Sequence, residues 1–302
     1  MTIDRSLLQT EKQNPNTIDI DKLSISEILK IINQEDSTIS ASVQKVTPEI
    51  KRTVDLTIAA LKCGNRIVYI GAGTSGRLGI LDVSEIPPTF SAPSEWFTGV
   101  IAGGREAVYK SIEGAEDLPQ NAKRDLDKIG LRKGDVLIGI ASSGTTPYVI
   151  AGLQYGQQLG CATVFLLCNP TPLEKYGFDV IIPAQVGPEI ITGSTRLKAG
   201  TATKLILNMI STTTMIKMGK VYGNLMVDLQ VVNKKLADRG TRIITQLTNL
   251  NYNDAGNLLQ DAKGSVKTAI VMNKKCCSLI DARELLEKYA GNLRAIIGDI
   301  SA

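Results

Sequence analysis

Short apolar, β-branched runs recur through the middle of the chain: R-I-V-Y-I at 66–70, T-G-V-I-A at 98–102, D-V-L-I-G-I at 135–140, C-A-T-V-F-L-L at 161–167 and D-V-I-I-P at 179–183. Between them, apolar residues return at helical spacing over about 75–83, 104–113, 118–128 and 147–158. Strands that are apolar throughout, alternating with helices, predict a parallel sheet buried on both faces: an α/β architecture of three layers, helix–sheet–helix.

Helical patterning also lies outside this core. S-I-S-E-I-L-K-I-I-N begins at Ser24, with Glu27 spaced for a capping box. A second helix is expected from about Pro48 to Leu61, stopping near Gly64-Asn65. Residues 1–18 are polar and read as a loose segment, or as an extended arm lying on a partner. Asp82 to Phe90 reads as the end of a helix at the Pro87-Pro88 pair. A long helix should follow Gly200, another should span about Leu225 to Leu247, and 252–302 should form a module of three short helices. The expected division is 1–47 as N-terminal arm and helix, 48–224 as the sheet domain, and 225–302 as the helical C-terminal region.

Composition narrows the chemistry. Of 302 residues, 43% are hydrophobic and 21% charged, ordinary values for a chain with a sizeable core. The net charge of +4 comes with no long basic run, so nucleic acid is not an expected partner. No apolar stretch nears the roughly 20 residues of a membrane span, and no membrane partner is expected. Met1-Thr2-Ile3-Asp4-Arg5 is polar where a signal peptide would be apolar, which places the protein in the cytoplasm. The five cysteines, Cys63, Cys161, Cys168, Cys276 and Cys277, match no metal or redox spacing and are expected to be free and mostly buried. The chain has no histidine. A histidine-based triad and the commonest metal ligand are thereby removed, and acid–base work falls to carboxylates, lysine, tyrosine or cysteine.

Two strand-to-helix junctions carry candidate chemistry. Gly71-Ala72-Gly73-Thr74-Ser75-Gly76 matches G-x-G-x-x-G. A dinucleotide site also needs an acidic residue at the second strand's tip, and that tip reads Ile101-Ala102-Gly103-Gly104; Arg105 leaves only a phosphorylated dinucleotide open. A P-loop needs Lys-Ser or Lys-Thr where Arg77-Leu78 stands. The loop remains a helix N-terminus with hydroxyl donors, suited to a phosphate monoester, or else a capped tight turn. Ala141-Ser142-Ser143-Gly144-Thr145-Thr146-Pro147 repeats the design after the third strand. Two such loops at neighbouring strand ends would converge on one crevice. Serine- and threonine-rich loops so arranged resemble the sugar isomerase (SIS) fold.

The flanking segments narrow the resemblance. G-A-G-T-S-G-R-L-G-I-L-D, S-E-I-P-P-T, E-G-A-E-D, S-G-T-T-P-Y-V-I-A-G-L, G-S-T-R-L-K-A-G-T and G-K-V-Y-G-N-L-M-V-D occur in order. Together they resemble the N-acetylmuramic acid 6-phosphate etherase family over about residues 15–300. The resemblance implies a homodimeric SIS-fold lyase that needs no metal or nucleotide cofactor. It also implies cleavage of the lactyl ether of a phosphosugar substrate, yielding N-acetylglucosamine 6-phosphate and D-lactate. Two positions depart from the family pattern: Ile86 replaces a usual Cys, and Thr145 stands where many members carry Arg.

By this resemblance, Glu85 protonates the departing oxygen and Glu116 is the base at C2. Two carboxylates in different environments can hold opposite protonation states, which suits a chain without histidine. Asp82, Glu113 and Asp117 are neighbouring alternatives. Thr74, Ser75, Gly76, Ser142, Ser143, Gly144 and Thr145 are expected to hold phosphate and sugar. Segment 189–201 is expected to complete the pocket, unless it is a capped loop with Lys198 and Lys204 solvated. Lys274-Lys275 reads as solvated surface. A rival class is a non-catalytic SIS sugar-phosphate sensor like the glucokinase regulatory protein, and a third is a sugar-phosphate isomerase. Retention of both Glu85 and Glu116 favours the lyase.

Overall fold

The structure is a computed structural model, described here for residues 8–170, 176–229, 231 and 233–299. Three helices precede the sheet: α1 (Ile25–Asp36), α2 (Ile39–Lys45) and α3 (Thr47–Lys62). Strand and helix then alternate through β1 (Ile67–Gly71), α4 (Gly73–Phe90), β2 (Phe97–Ile101), α5 (Glu106–Tyr109), α6 (Pro119–Lys128), β3 (Val136–Ile140), α7 (Pro147–Leu159), β4 (Ala162–Leu167) and β5 (Val180–Pro183). Six helices follow: α8 (Lys198–Lys217), α9 (Lys234–Leu247), α10 (Tyr252–Asp261), α11 (Val266–Lys275), α12 (Leu279–Lys288) and α13 (Leu293–Ile297).

All five strands are parallel, in the order β2-β1-β3-β4-β5. Every residue of β1 and β3 is buried, because both faces carry helices. Val68, Ile70, Leu137 and Phe165 pack against Ala122 and Leu126 of α6 and Val149 and Leu153 of α7. Tyr69 points the other way, toward α4, where a Cβ at Gly79 would lie 3.1 Å from the Tyr69 Cβ. The strand order reverses direction between β1 and β3, and open sheets bind ligands beyond the strand ends at such a point.

The chain packs into two compact units. One comprises Met1–Val83 and Glu95–Ser211; the other comprises Ser84–Ser94 and Thr212–Ala302. The second has its own core, with Ile244 and Leu247 of α9 against Leu259, Val266, Ile270 and Leu293. Its helices open on caps visible in the sequence: Asn233, Asn251, Ser265, Ser278 and Asn292 each accept a bond from a backbone N–H three residues on.

Several elements differ from expectation. Residues 8–18 of the expected loose segment are not loose: short 3-10 turns form at Gln9–Glu11 and Pro15–Thr17, followed by another at Ile20–Lys22, and Thr10, Asn14 and Thr17 are buried. Residues 1–7 of the expected loose segment lie outside the described residues. The helix of Asp82 does not stop at the proline pair; α4 runs through Pro87 and Pro88 to Phe90. Proline removes a helix donor but keeps a helical φ, so packing can carry the chain through. Over 104–113 only the four residues of α5 are helical, because Gly103 and Gly104, both at positive φ, hold the chain in a turn. The helix expected from Leu225 begins at Lys234, and Leu225 instead forms an isolated bridge with Tyr222. Among the described residues the C-terminal module holds a fourth helix besides the three expected, the five residues of α13. The cysteines are free, but only Cys161 and Cys168 are buried; Cys63 and Cys276 are exposed.

Within α4, Asp82 is 3% exposed. It accepts bonds from Tyr69 Oη at 3.2 Å, Ser211 Oγ at 3.2 Å and Lys204 Nζ at 3.5 Å. Burial pushes its carboxyl up, against the opposing pull of Lys204, Ser211 and Tyr69. A raised folded-state value means the folded chain holds this proton more tightly than the unfolded chain does. The resulting stability is full in acid and is lost as pH rises through the raised value. Asp82→Asn, which cannot titrate, should therefore gain stability relative to the parent as pH rises above about 4 in denaturant titrations. A difference that stays constant as pH rises would show that the charge carries no penalty.

Candidate active site

β1 and β3 are direct neighbours, with Gly71 in register with Ile140. Their following loops therefore leave the sheet side by side. A Cβ on Gly71 would lie 2.7 Å from the Gly76 nitrogen, and one on Gly76 would lie 2.6 Å from Ile101 Cγ1. These two glycines are required by close packing within the turn and against the end of β2, so the G-x-G-x-x-G match needs no dinucleotide to explain it.

The two loops enclose a cleft of about 270 Å³. Thr74 and Ser75 line it from the first loop, and Ser142, Ser143, Thr145 and Thr146 from the second. Ser75 Oγ and Ser142 Oγ lie 3.5 Å apart across the junction. Ser143 Oγ and Thr145 Oγ1 are 3.0 Å apart, and the Thr145 N–H donates to Ser143 Oγ at 3.2 Å. Thr146, the residue before α7, makes no side-chain capping bond, so simple capping does not account for it. The first N–H groups of α4 have no partner within the helix, and its positive end favours an anion. Among the described residues, no lysine or arginine lines this cleft. Hydroxyls and amides are its donors, and Thr145 supplies a hydroxyl where an arginine was a family option.

Glu116 also lines the cleft. It sits in a 3-10 turn, Ala115–Asp117, entered through Gly114 at φ 70°, and is exposed. An adjoining hollow of about 160 Å³ shares Gly73 and Glu116, and adds Arg77 and Glu113. Arg77 donates to the carbonyls of Val108 at 3.1 Å and Lys110 at 3.0 Å. Glu113 accepts from Ser111 Oγ at 2.7 Å.

The remaining sequence candidates fall elsewhere. Gly76 and Gly144 shape the loops without lining the cleft. Glu85 is exposed on α4 and is not a lining residue. Asp82 is buried in the bonds already described, and Asp117 is not at the cleft surface. From segment 189–201, Gly193 and Thr195 reach the cleft. Lys198 is not solvated: it is 2% exposed and lies 2.7 Å from Glu35 Oε2. Lys204 pairs with Asp82. Lys274 and Lys275 are exposed, as expected. Glu189 is fully buried and accepts from the N–H groups of Lys198 at 2.9 Å and Ala199 at 3.0 Å, which fixes the start of α8.

Glu11 lines the cleft without having been singled out, whereas Thr146, Gly193 and Thr195 come from the second loop and from segment 189–201, both expected at the pocket. Glu11 lies in a polar stretch with no periodicity, so no local signal marked it. Cys168, whose N–H donates to the Ser142 carbonyl at 2.9 Å, is no nucleophile. Burial, with the nearby Glu189 carboxylate adding to it, pushes its thiol up to about 12.

Comparison with known proteins agrees with this architecture. Residues 49–157 match the family described as the glucokinase regulatory protein N-terminal SIS domain. A solved structure from Bacteroides fragilis, named for phosphosugar isomerase chemistry and capsule formation, superposes with a TM-score of 0.50 at 20% identity. It covers 64% of this chain and 91% of its own, and shares the fold. An N-acetylmuramic acid 6-phosphate etherase of Oceanobacillus iheyensis is 52% identical over 95% of this chain and 98% of its own. A Geobacillus protein of the same name is 50% identical over 95% and 97%, and one from Rhodopirellula baltica is 47% identical over 96% of each. With about half its residues shared along nearly the whole of such relatives, this chain belongs to the N-acetylmuramic acid 6-phosphate etherase family.

Proposed function

We propose that this protein is a carbon–oxygen lyase. It cleaves the D-lactyl ether of N-acetylmuramic acid 6-phosphate to N-acetylglucosamine 6-phosphate and D-lactate, in the recycling of cell-wall amino sugars. The observation that carries this reading is the cleft itself: two hydroxyl-rich loops from adjacent strands β1 and β3 line one wall system with Glu116. Hydroxyls and helix-start amides suit the 6-phosphate, and a carboxylate beside them suits proton transfer to and from carbon.

An alkyl ether resists direct hydrolysis. With the sugar opened, C1 is an aldehyde and the C2 proton becomes acidic. Glu116 takes that proton, the C3–oxygen bond breaks, and the departing lactate oxygen is protonated. The resulting unsaturated aldehyde adds water at C3, and Glu116 returns a proton to C2. Each positioned acid or base supplies roughly 10² to 10⁴ in rate. We assign the proton on the lactate oxygen to Glu85 on the family resemblance alone; the geometry of the cleft speaks for Glu116. Thr74, Ser75, Ser142, Ser143 and Thr145 are assigned to phosphate and sugar, with Gly76 and Gly144 shaping their loops. The same resemblance underlies our reading of a homodimer. A non-catalytic sugar-phosphate sensor is not favoured, because relatives matched over nearly their whole length carry the etherase name.

Incubation with N-acetylmuramic acid 6-phosphate in ¹⁸O-water tests the proposal. Elimination followed by water addition puts the label on C3 of the sugar and none in the lactate. Label in the lactate would rule out elimination, and absence of lactate would restore the sensor.

A further inference from the structure

The N-terminal arm brings a second carboxylate to the cleft. Glu11 lines it alongside Glu116, Ser75 and Ser142. Its neighbour Thr10 is fully buried, and its polar groups are all engaged. The Thr10 N–H donates to Asn169 Oδ1 at 3.2 Å, its Oγ1 accepts from Asn169 Nδ2 at 2.9 Å, and its carbonyl accepts from the Gly193 N–H at 3.1 Å. Asn169, also fully buried, donates to the Ser142 carbonyl at 3.1 Å. One buried amide thus holds the arm and the second serine loop in register. A buried polar side chain that satisfies both segments fixes their spacing, because breaking either bond strands a polar group.

The opposite side of Glu11 is shaped as well. Gly193 stands at φ +75°, and a Cβ there would lie 3.1 Å from Glu11 Oε2. The absent side chain leaves room for the carboxylate. Further along the arm, Asn14 and Asn16 donate to Glu35 at 2.9 and 2.8 Å, and Glu35 is paired with Lys198. The arm is therefore tied down on both sides of Glu11.

A carboxylate beside a phosphate site is repelled by the phosphate. It is, however, a pure hydrogen-bond acceptor, and sugar hydroxyls are donors. We propose that Glu11 is a specificity residue: it accepts hydrogen bonds from hydroxyl groups of the sugar chain while the serine loops take the phosphate. This rests on the reading of the cleft as the phosphosugar site. The arm then favours a phosphate ester that carries hydroxyl donors over bare inorganic phosphate.

Calorimetric titration of the full chain separates the two contributions. In Glu11→Ala, the Kd for N-acetylglucosamine 6-phosphate should rise about tenfold to a hundredfold, the range for a hydrogen bond to a charged group. The Kd for inorganic phosphate should stay the same or fall, because a like charge has been removed. Glu11→Gln, which keeps one acceptor oxygen, should lose less sugar-phosphate affinity than Glu11→Ala. A parallel weakening of both ligands would overturn the proposal, since it would mark the arm as mere scaffolding. So would an unchanged Kd for the sugar phosphate. Ser142→Ala checks the underlying reading: it should weaken inorganic phosphate. If it does not, the phosphate site is elsewhere and the role of Glu11 falls with it, whatever the Glu11 variants show.

Discussion

Glu116→Gln should lower the turnover of N-acetylmuramic acid 6-phosphate by at least about 10² to 10⁴-fold, the contribution of one positioned acid–base group. The substitution keeps size and polarity at an exposed position of a short turn, so folding should be unaffected. Glutamine cannot take a proton from C2 or return one. Exchange of the C2 hydrogen with deuterated water, followed by proton NMR on the product sugar phosphate, should therefore vanish along with lactate release. Binding of N-acetylglucosamine 6-phosphate should persist, because the serine loops are untouched. Exchange at the parental rate would show that another group is the base. Glu113 is the first to examine in that event: it faces the adjoining hollow and is bound to Ser111 at 2.7 Å. Glu113→Gln should leave exchange in place if Glu116 is correctly assigned.

The second large effect is on stability. Lys198→Met keeps an unbranched apolar side chain of similar length but removes the charge that sits 2.7 Å from Glu35. The two side chains are only 3% and 12% exposed, so water replaces little of the lost interaction. Removing one partner of a buried pair costs about 3 to 5 kcal/mol. We place Lys198→Met at about 3, because Asn14 and Asn16 would still donate to Glu35. Burial pushes the Glu35 carboxyl up, but the bonds from Lys198, Asn16 and Asn14 outweigh it and hold the group below its usual range. A lowered folded-state value means that this stability is present at neutral pH and lost as pH falls through that value. The destabilisation by Lys198→Met should accordingly be large at pH 7 and shrink in acid below about pH 4, as read from denaturant midpoints. The double variant Lys198→Met with Glu35→Gln should recover part of the loss, since no buried charge is then left alone. A single variant as stable as the parent would show that the pair contributes nothing. Because Asn14 and Asn16 share Glu35, protease sensitivity of the arm should rise in step with the loss.

All five strands lie within one residue of their apolar runs, because buried parallel strands must be apolar throughout and the chain has few other such runs. The α1 capping box was equally legible, since Ser24 and Glu27 satisfy each other locally. The two serine loops could be placed from strand ends and helix starts alone, as both are local in sequence. The ordered motifs from G-A-G-T-S-G-R-L-G-I-L-D onward carried the family.

Tertiary contacts decided the rest. α4 continues through two prolines and α5 stops after one turn, contrary to what local signals implied. The arm is ordered because Thr10 meets Asn169 across 159 positions, a distance over which no periodicity operates. Lys198 is buried rather than solvated because Glu35, 163 residues away, waits for it. Composition and spacing report what a segment can do with its own neighbours. Which carboxylates share the cleft is set by register across the sheet and by long-range hydrogen bonds. For that reason Glu116 and Glu11 emerge as its two acidic lining residues among the described residues, while Glu85 rests on kinship of sequence.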